Sequence, residues 1–271
     1  MNAITLDSIT MGYDDEGDGD PVVLVHGHPF DRSMWGPQVV EFAAAGWRVI
    51  APDLRGYGES SVSPGVARFA EFAEDVAALL DHLGVDRVVL GGLSMGGQIA
   101  MEFYRLFPGR VSGLLLADTF PRAESPEGKV LRRSAADRLL AEGMAPYADE
   151  VLGKMIAPYN VTASPGVAAH VRQMMTATPP QGAAAALRAR AERPDYCLLL
   201  TEVVVPALVV VGADDEYTPV ADAEFMHERL ADSTLAVIAG AAHMPNLERP
   251  IEFNDAMRRL LTSVARQRTL S

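Results

Sequence analysis

RVVLGGLSMGG, residues 87–97, decides the fold. After Arg87 the run up to Leu93 carries no charge and predicts a strand buried on both faces. From Met95 the chain takes a helical period that Pro108 and Gly109 bring to an end. Ser94 therefore lies on a tight strand-to-helix turn and must take a strained backbone. Gly92 and Gly96, two residues before and two after it, remove the Cβ clashes such a turn creates. The hydroxyl is pushed outward, beside the free N–H groups and positive dipole end of the helix.

Other short apolar runs lie on both sides of this turn: VVLVH at 22–26, WRVIAP at 47–52, VSGLLLA at 111–117, ALVVVG at 207–212 and TLAVIAG at 234–240. The opening ITLDSITMGY reads as a strand or hairpin, closed by the acidic turn DDEGDGD. Helical periods fall at 67–83, with Gly84 as C-cap, at 95–107 and at 250–265. This alternation predicts an α/β fold, a mostly parallel sheet with helices on both faces. Residues 121–206 differ, holding nine of the eighteen prolines, the segment AAAALRARAERP and no convincing strand. They read as a helical lid inserted between two strands, leaving 1–120 and 207–271 as the core.

Composition narrows the function classes. Of 271 residues 49% are apolar and 22% charged, the balance of a folded globular chain. A net charge of −13 argues against nucleic acid and anionic lipid as partners. The longest uncharged apolar run, 203–213, is too short to span a membrane and contains Pro206. No basic, apolar leader is legible, and Cys197 is the single cysteine, so a cytoplasmic protein without internal disulfides is expected. Its CLLL context reads as a buried core thiol. Aspartates 14, 15, 18 and 20 with Glu16 match a calcium loop in composition only, since the terminal bidentate Glu is missing; a solvated turn is expected.

A serine hydroxyl is a weak nucleophile at neutral pH, so it needs a base and an acid to orient that base. His243, in the loop after the 234–240 strand, is the expected base; His82, His170 and His227 fall in helical segments. Asp215, after the 207–212 strand, is the expected acid, with Asp214 and Asp118 as competitors. Acyl chemistry also needs two donors aimed at an oxyanion, and the backbone N–H groups of Met95 and His28 are assigned to it. Phe30, Met144 and Met155 are expected to line the substrate pocket, with Met174 and Met175 packing the lid. Short, mostly neutral acyl groups suit such a pocket. An acidic substrate would instead require Arg122, Arg132, Arg133 or Arg172 to reach it. No Gly-x-Gly-x-x-Gly follows the first strand, and no cofactor or metal is expected.

Serine, then acid, then histidine, each after a strand, resembles the α/β-hydrolase superfamily. The segments HGHPFDRSMW, PDLRGYGES, GLSMGG, the Gly-x-x-Asp-x-x-x-Pro of 212–219 and AGAAHMPNLERP are similar to it in the same order. Haloalkane dehalogenases and epoxide hydrolases of this lineage carry Asp where this chain has Ser94, which removes both chemistries. ADTFPRAESPEGK, after the 111–117 strand, is most similar to the 3-oxoadipate enol-lactonase and small carboxylesterase group. The resemblance implies hydrolysis of a small-molecule ester or lactone through an acyl-enzyme. A cofactor-free perhydrolase or haloperoxidase activity on the same triad, and a non-catalytic binding protein, are the alternatives; homo-oligomerisation is left open. Turnover of a short chromogenic ester is expected to rise with pH as the histidine loses its proton. Chelators should not matter, and activity lost to a chelator and restored by a divalent ion would point to metal-assisted hydrolysis.

Overall fold

The computed structural model describes residues 2–6, 9–62 and 68–270. Eight strands form one sheet in the order β1-β2-β4-β3-β5-β6-β7-β8. They are β1 (Asn2–Leu6), β2 (Ile9–Glu16), β3 (Asp20–Val25), β4 (Trp47–Pro52), β5 (Val88–Leu93), β6 (Val111–Ala117), β7 (Ala207–Gly212) and β8 (Ser233–Ile238). Strands β3 to β8 run parallel, while β2 pairs antiparallel with β1 and β4. The all-apolar segments read as doubly buried strands occupy the centre, where β5 and β7 have no exposed residue. At the edge, β8 is only partly covered, with Thr234 and Val237 exposed.

Helices cover both faces. On one side α2 (Phe69–His82), α3 (Met95–Leu106) and α9 (Val220–His227) bury Phe72, Val76, Ile99, Phe103 and Met226 against alternate strand residues such as Val23, Leu90 and Val209. On the other, α1 (Gly36–Ala44) and α11 (Pro250–Leu270) bury Phe42, Phe253 and Leu260 against Leu24, Val89 and Leu208. The period of two along each strand assigns its side chains to the two layers in turn. Ala67, where the helical period begins in the sequence, and Asp7 and Ser8 of the expected hairpin lie outside the described residues.

Between β6 and β7 the chain forms α4 (Pro126–Glu142), α5 (Met144–Met155), α6 (Pro158–Ala163), α7 (Pro165–Ala177) and α8 (Pro180–Ala191). Four of these helices open on a proline, which accounts for much of the segment's proline content, because a missing N–H costs nothing at the first helical position. Small residues let α4 and α8 pack closely, with Ala136, Leu139, Ala183, Ala184 and Leu187 buried between them. The short helix α10 (Pro245–Glu248) follows the loop after β8. Among the described residues no helix is long and apolar enough to cross a membrane.

Three expectations change. Most of the presumed acidic turn is strand: Asp14, Asp15 and Glu16 belong to β2, where Asp14 pairs with Arg32 and Asp15 with Arg48. Cys197 is half-buried rather than core, because CLLL enters a surface 3-10 turn in which Leu198 is exposed. The last helix continues past 265 to Leu270.

The α3–β5 junction, which carries Ser94, is packed backbone against backbone. A Cβ on Gly92 would stand 2.2 Å from the Gly96 carbonyl, and one on Gly96 would stand 2.1 Å from the Val25 carbonyl. Backbone, not flexible side chain, fills both places. Gly92→Ala is therefore expected to lower unfolding free energy by about 3 kcal/mol in urea denaturation. Gly109→Ala, whose added Cβ meets nothing within 4 Å, is expected to change it by less than about 0.5 kcal/mol.

Candidate active site

Ser94 joins β5 to α3 with φ 56° and ψ −115°, a conformation costly for any residue with a Cβ. Its surroundings fix that geometry. The Ser94 N–H donates to the Ala117 carbonyl at 2.9 Å, and its carbonyl accepts the Thr119 hydroxyl at 2.7 Å and the Gln98 N–H at 3.2 Å. Because α3 starts at Met95, the Met95 N–H has no carbonyl one turn earlier to bond.

The loops after β7 and β8 meet beside this turn. A Cβ on Gly212 would stand 1.9 Å from the Ala242 carbonyl, so glycine there permits the approach. The N–H groups of Ala213 and Asp214 then donate across to the Ile238 and Ala241 carbonyls, each at 2.9 Å. Within this joint His243 Nδ1 donates to Asp215 Oδ2 at 2.8 Å, with both side chains buried. Asp215 also accepts from the Tyr217 N–H at 2.8 Å, the Thr218 N–H at 3.2 Å and the Thr218 hydroxyl. Burial pushes Asp215 up, but the imidazole and these donors outweigh it and hold the carboxyl below the ordinary range. With Nδ1 committed, Nε2 is the nitrogen left to face the cavity that His243 and Ser94 both line.

The two competing acids have other surroundings. Asp214 turns outward and accepts from the Tyr159 hydroxyl. Asp118 is buried with φ 44°; one oxygen accepts the Gly212 N–H at 2.8 Å and the other has no hydrogen-bond partner. One atom each of Asp118, Asp215 and His243 lie within 4.8 Å of one another. As a metal site this trio would have to give up the His243–Asp215 hydrogen bond. Burial and the neighbouring Asp215 both push the Asp118 carboxyl well above its ordinary range.

A cavity of about 120 Å³ lies over Ser94 and His243. The helices between β6 and β7 supply part of its wall: Arg132, Tyr147, Met155, Leu187 and Arg190. His28 lines it from the core, with Nδ1 2.7 Å from the Tyr57 hydroxyl and Nε2 buried without a partner. Burial, then Arg190 and Arg132, push the His28 pKa well down, so its ring is neutral. Arg190 is the cation that sets the cavity's character. Its Nε donates to Gln98 Oε1 at 3.1 Å, yet among the described residues no carboxylate pairs with it. Burial, reinforced by Arg132 and Arg193, pushes its pKa well down. A guanidinium keeps its charge in proteins, so this direction reads as the cost of an uncompensated buried cation.

Of the residues expected to line the pocket, Met155 does. Phe30 lies fully buried in the core beneath it, and Met144 packs with Leu139 and Leu187 between α4 and α8. Among the arginines considered, Arg132 reaches the cavity and pairs with Glu124 at 2.6 Å. Arg122, Arg133 and Arg172 are drawn away to Asp222, Glu192 and Asp149. Arg190 escaped the sequence reading. Its signal is an arginine set in AAAALRARA, where alanine on all sides of a helix marks close packing and hence burial.

The sequence profile of the family described as the alpha/beta hydrolase fold matches residues 20–250. The chain belongs to that family. It is 30% identical over 258 residues to 3-oxoadipate enol-lactonase 2 of Acinetobacter baylyi, covering 94% of each protein. It is 33% identical over 254 residues to a non-heme chloroperoxidase of Streptomyces lividans, covering 88% of this chain and 91% of that one. Among solved structures, a malate-bound thermophilic esterase from Thermogutta terrifontis has a TM-score of 0.95 at 40% identity, covering 97% of this chain and 99% of that one. The resemblance drawn from the motifs to the enol-lactonase and esterase group stands with these relatives.

The two adjacent aspartates separate cleanly by experiment. Asp215→Asn is expected to lower ester turnover by ~10²- to 10⁴-fold, and Asp214→Asn by less than ~10-fold, in steady-state kinetics at neutral pH. The reverse ranking would move the acid.

Proposed function

We propose that the protein is a serine hydrolase that cleaves a carboxylic ester or lactone through an acyl-enzyme. The observation that carries this reading is the buried His243–Asp215 hydrogen bond of 2.8 Å beside a cavity that also exposes a strained-turn serine. Ser94 Oγ attacks the carbonyl carbon while His243 Nε2 takes its proton. Asp215 fixes the imidazole tautomer and stabilises the imidazolium. The N–H groups of Met95 and His28 receive the developing oxyanion. As the tetrahedral species collapses, His243 returns the proton to the departing alkoxide, which in a lactone stays tethered to the acyl group. Water, with its proton drawn off by His243, then attacks the ester carbonyl and frees Ser94. The relative named as a chloroperoxidase supports one variant, in which hydrogen peroxide replaces that water and yields a peracid.

In this reading residues 121–206 act as the lid and set the substrate. Arg190 argues for a substrate that carries a negative charge, replacing the neutral acyl groups expected from the methionines. A buried guanidinium with no carboxylate partner is costly, and an anionic group entering the cavity offsets that cost while orienting the scissile carbonyl. A second cavity of about 290 Å³ shares Arg132, Tyr147 and Leu187 with the first, which supports entry between α4, α5 and α8. The lone cysteine supports a reducing, cytoplasmic setting.

Ser94→Ala is expected to lower ester hydrolysis by at least ~10³-fold with an unchanged unfolding curve, and a phosphonate probe should label Ser94 stoichiometrically. Labelling at another residue sinks the nucleophile. For the substrate, a monoester bearing a free carboxylate should exceed its neutral methyl diester in kcat/KM by ~10- to 100-fold, a preference that Arg190→Met abolishes. Equal rates in the wild-type enzyme would remove the anion requirement and leave the serine chemistry standing.

A further inference from the structure

The segment after β6 touches all three loops of the candidate triad. Ala117 accepts the Ser94 N–H and Thr119 donates to the Ser94 carbonyl, at 2.9 and 2.7 Å. Between them Asp118 takes a left-handed backbone, φ 44°, and its carboxyl accepts the N–H of Gly212, the residue that opens the Asp215 loop. Non-glycine residues adopt that conformation at a cost, and the surrounding structure must hold them there. Asp118 is also buried, 1% exposed, in a space where its second oxygen has no hydrogen-bond partner.

Charge balance then decides its state. Asp118, Asp215 and His243 bring atoms to within 4.8 Å of one another. Among the described residues no lysine or arginine pairs with either carboxyl. The other charged group facing them is Glu248 on α10, which adds to the negative side, and Tyr217 packs edge-on against the His243 ring, 5.3 Å between centroids. Two ionised carboxylates so close and so dry repel strongly, so one keeps a proton, as in paired carboxyl sites generally. Asp215 has donors from His243, Tyr217 and Thr218, all of which favour its charged form. Asp118 has one donor and one oxygen without a partner.

We infer that Asp118 is a neutral carboxylic acid whose unpartnered oxygen carries the proton and donates it as a hydrogen bond toward the Asp215 carboxylate, making Asp118 a positioning residue for the His243–Asp215 pair. The inference rests on the reading of that pair as base and acid. Its consequence is electrostatic as well as geometric. A donor on Asp215 spreads its negative charge and so weakens the hold of that carboxylate on an imidazolium formed beside it. A second full charge at that place would do the opposite, holding the proton on His243.

The test is the acid limb of the kcat/KM pH profile in two variants. Asparagine copies a protonated aspartic acid, with an acceptor for Gly212 and an N–H donor for Asp215. Asp118→Asn is therefore expected to hold the midpoint of the limb within about 0.3 pH unit of wild type. Asp118→Leu, which removes the donor, is expected to move it to higher pH by about half a unit or more and to lower kcat by ~10-fold or more. A shift to lower pH by about one unit in Asp118→Asn would mean that a charge had been removed, and would overturn the proposal. An independent readout covers a leucine variant that fails to fold. The infrared carbonyl band of a buried carboxylic acid should be present at neutral pH and missing in Asp118→Asn; its absence from the wild-type spectrum also overturns the proposal. Failure of the underlying pair is distinguishable, because it leaves turnover intact in Asp215→Asn.

Discussion

Ser94 holds its left-handed backbone only because α3 lies against β3 and β5 at backbone contact, with hydrogen at the two positions where any other residue would bring a Cβ. That contact has consequences along the sheet. It points the first turn of α3 at the strand ends, so that free N–H groups and a serine hydroxyl share one edge. It also brings the neighbouring β6 end close enough for Ala117 and Thr119 to clamp Ser94 from both its amide and its carbonyl. A helix displaced by the width of a methyl group would lose these bonds together. The energy that keeps the turn strained comes from the buried apolar layers on either face of β5, which leave α3 no other place to lie.

Much of this was legible in the chain because it depends on local rules. Uncharged runs such as ALVVVG gave strands buried on both faces, with bounds matching β7 residue for residue. The glycines around Ser94 announced a turn, and the order of Ser94, Asp215 and His243 was readable because each follows a strand on the same edge. Asp215 was favoured over Asp214 by its place in the loop between Gly212 and Thr218-Pro219, and the structure puts Asp215 on the His243 ring and Asp214 on Tyr159. What escaped depends on contacts distant in sequence. Arg190 and Gln98 lie 92 residues apart and meet only through the fold, and nothing within AAAALRARAERP states that its second arginine, unlike Arg188, finds no carboxylate. Phe30 and Met144 were misjudged for the same reason: apolar character marks them for burial, and only packing decides between core and cavity wall.

The site divides its charges between two parts of the molecule. Behind His243 stand the carboxyls of Asp215, Asp118 and Glu248, supplied by loops of the sheet and by α10. In front of it stand Arg190 and Arg132, supplied by helices that the sheet does not need in order to close. An imidazole between a negative wall and a positive one has its proton drawn toward the acid side, which in the proposed mechanism leaves Nε2 free to accept from the serine hydroxyl. The neutral ring of His28, held down by burial and then by the same arginines, adds no positive charge of its own to the cavity. The His243–Asp215 pair is thus built by the sheet's loops, and the arginines that face it come from the inserted helices.

The two parts are nonetheless joined at one buried carboxylate. Glu248 accepts the Ala242 N–H at 2.8 Å, next to His243, and with its other oxygen accepts the Ala157 N–H at 2.9 Å and the Asn160 amide at 2.7 Å. Ala157 and Asn160 lie at the α5–α6 corner, two and five residues beyond the cavity residue Met155. Burial pushes the Glu248 carboxyl up while these donors pull it down, and the balance leaves it raised. The anchor thus adds charge-assisted bonds to the apolar burial of Ile156 at the same corner. The α5–α6 corner is thereby tied to Ala242, one residue from His243. The front wall of the cavity and the loop that carries His243 share this point, so under the proposed mechanism substrate fit reaches the geometry of proton transfer.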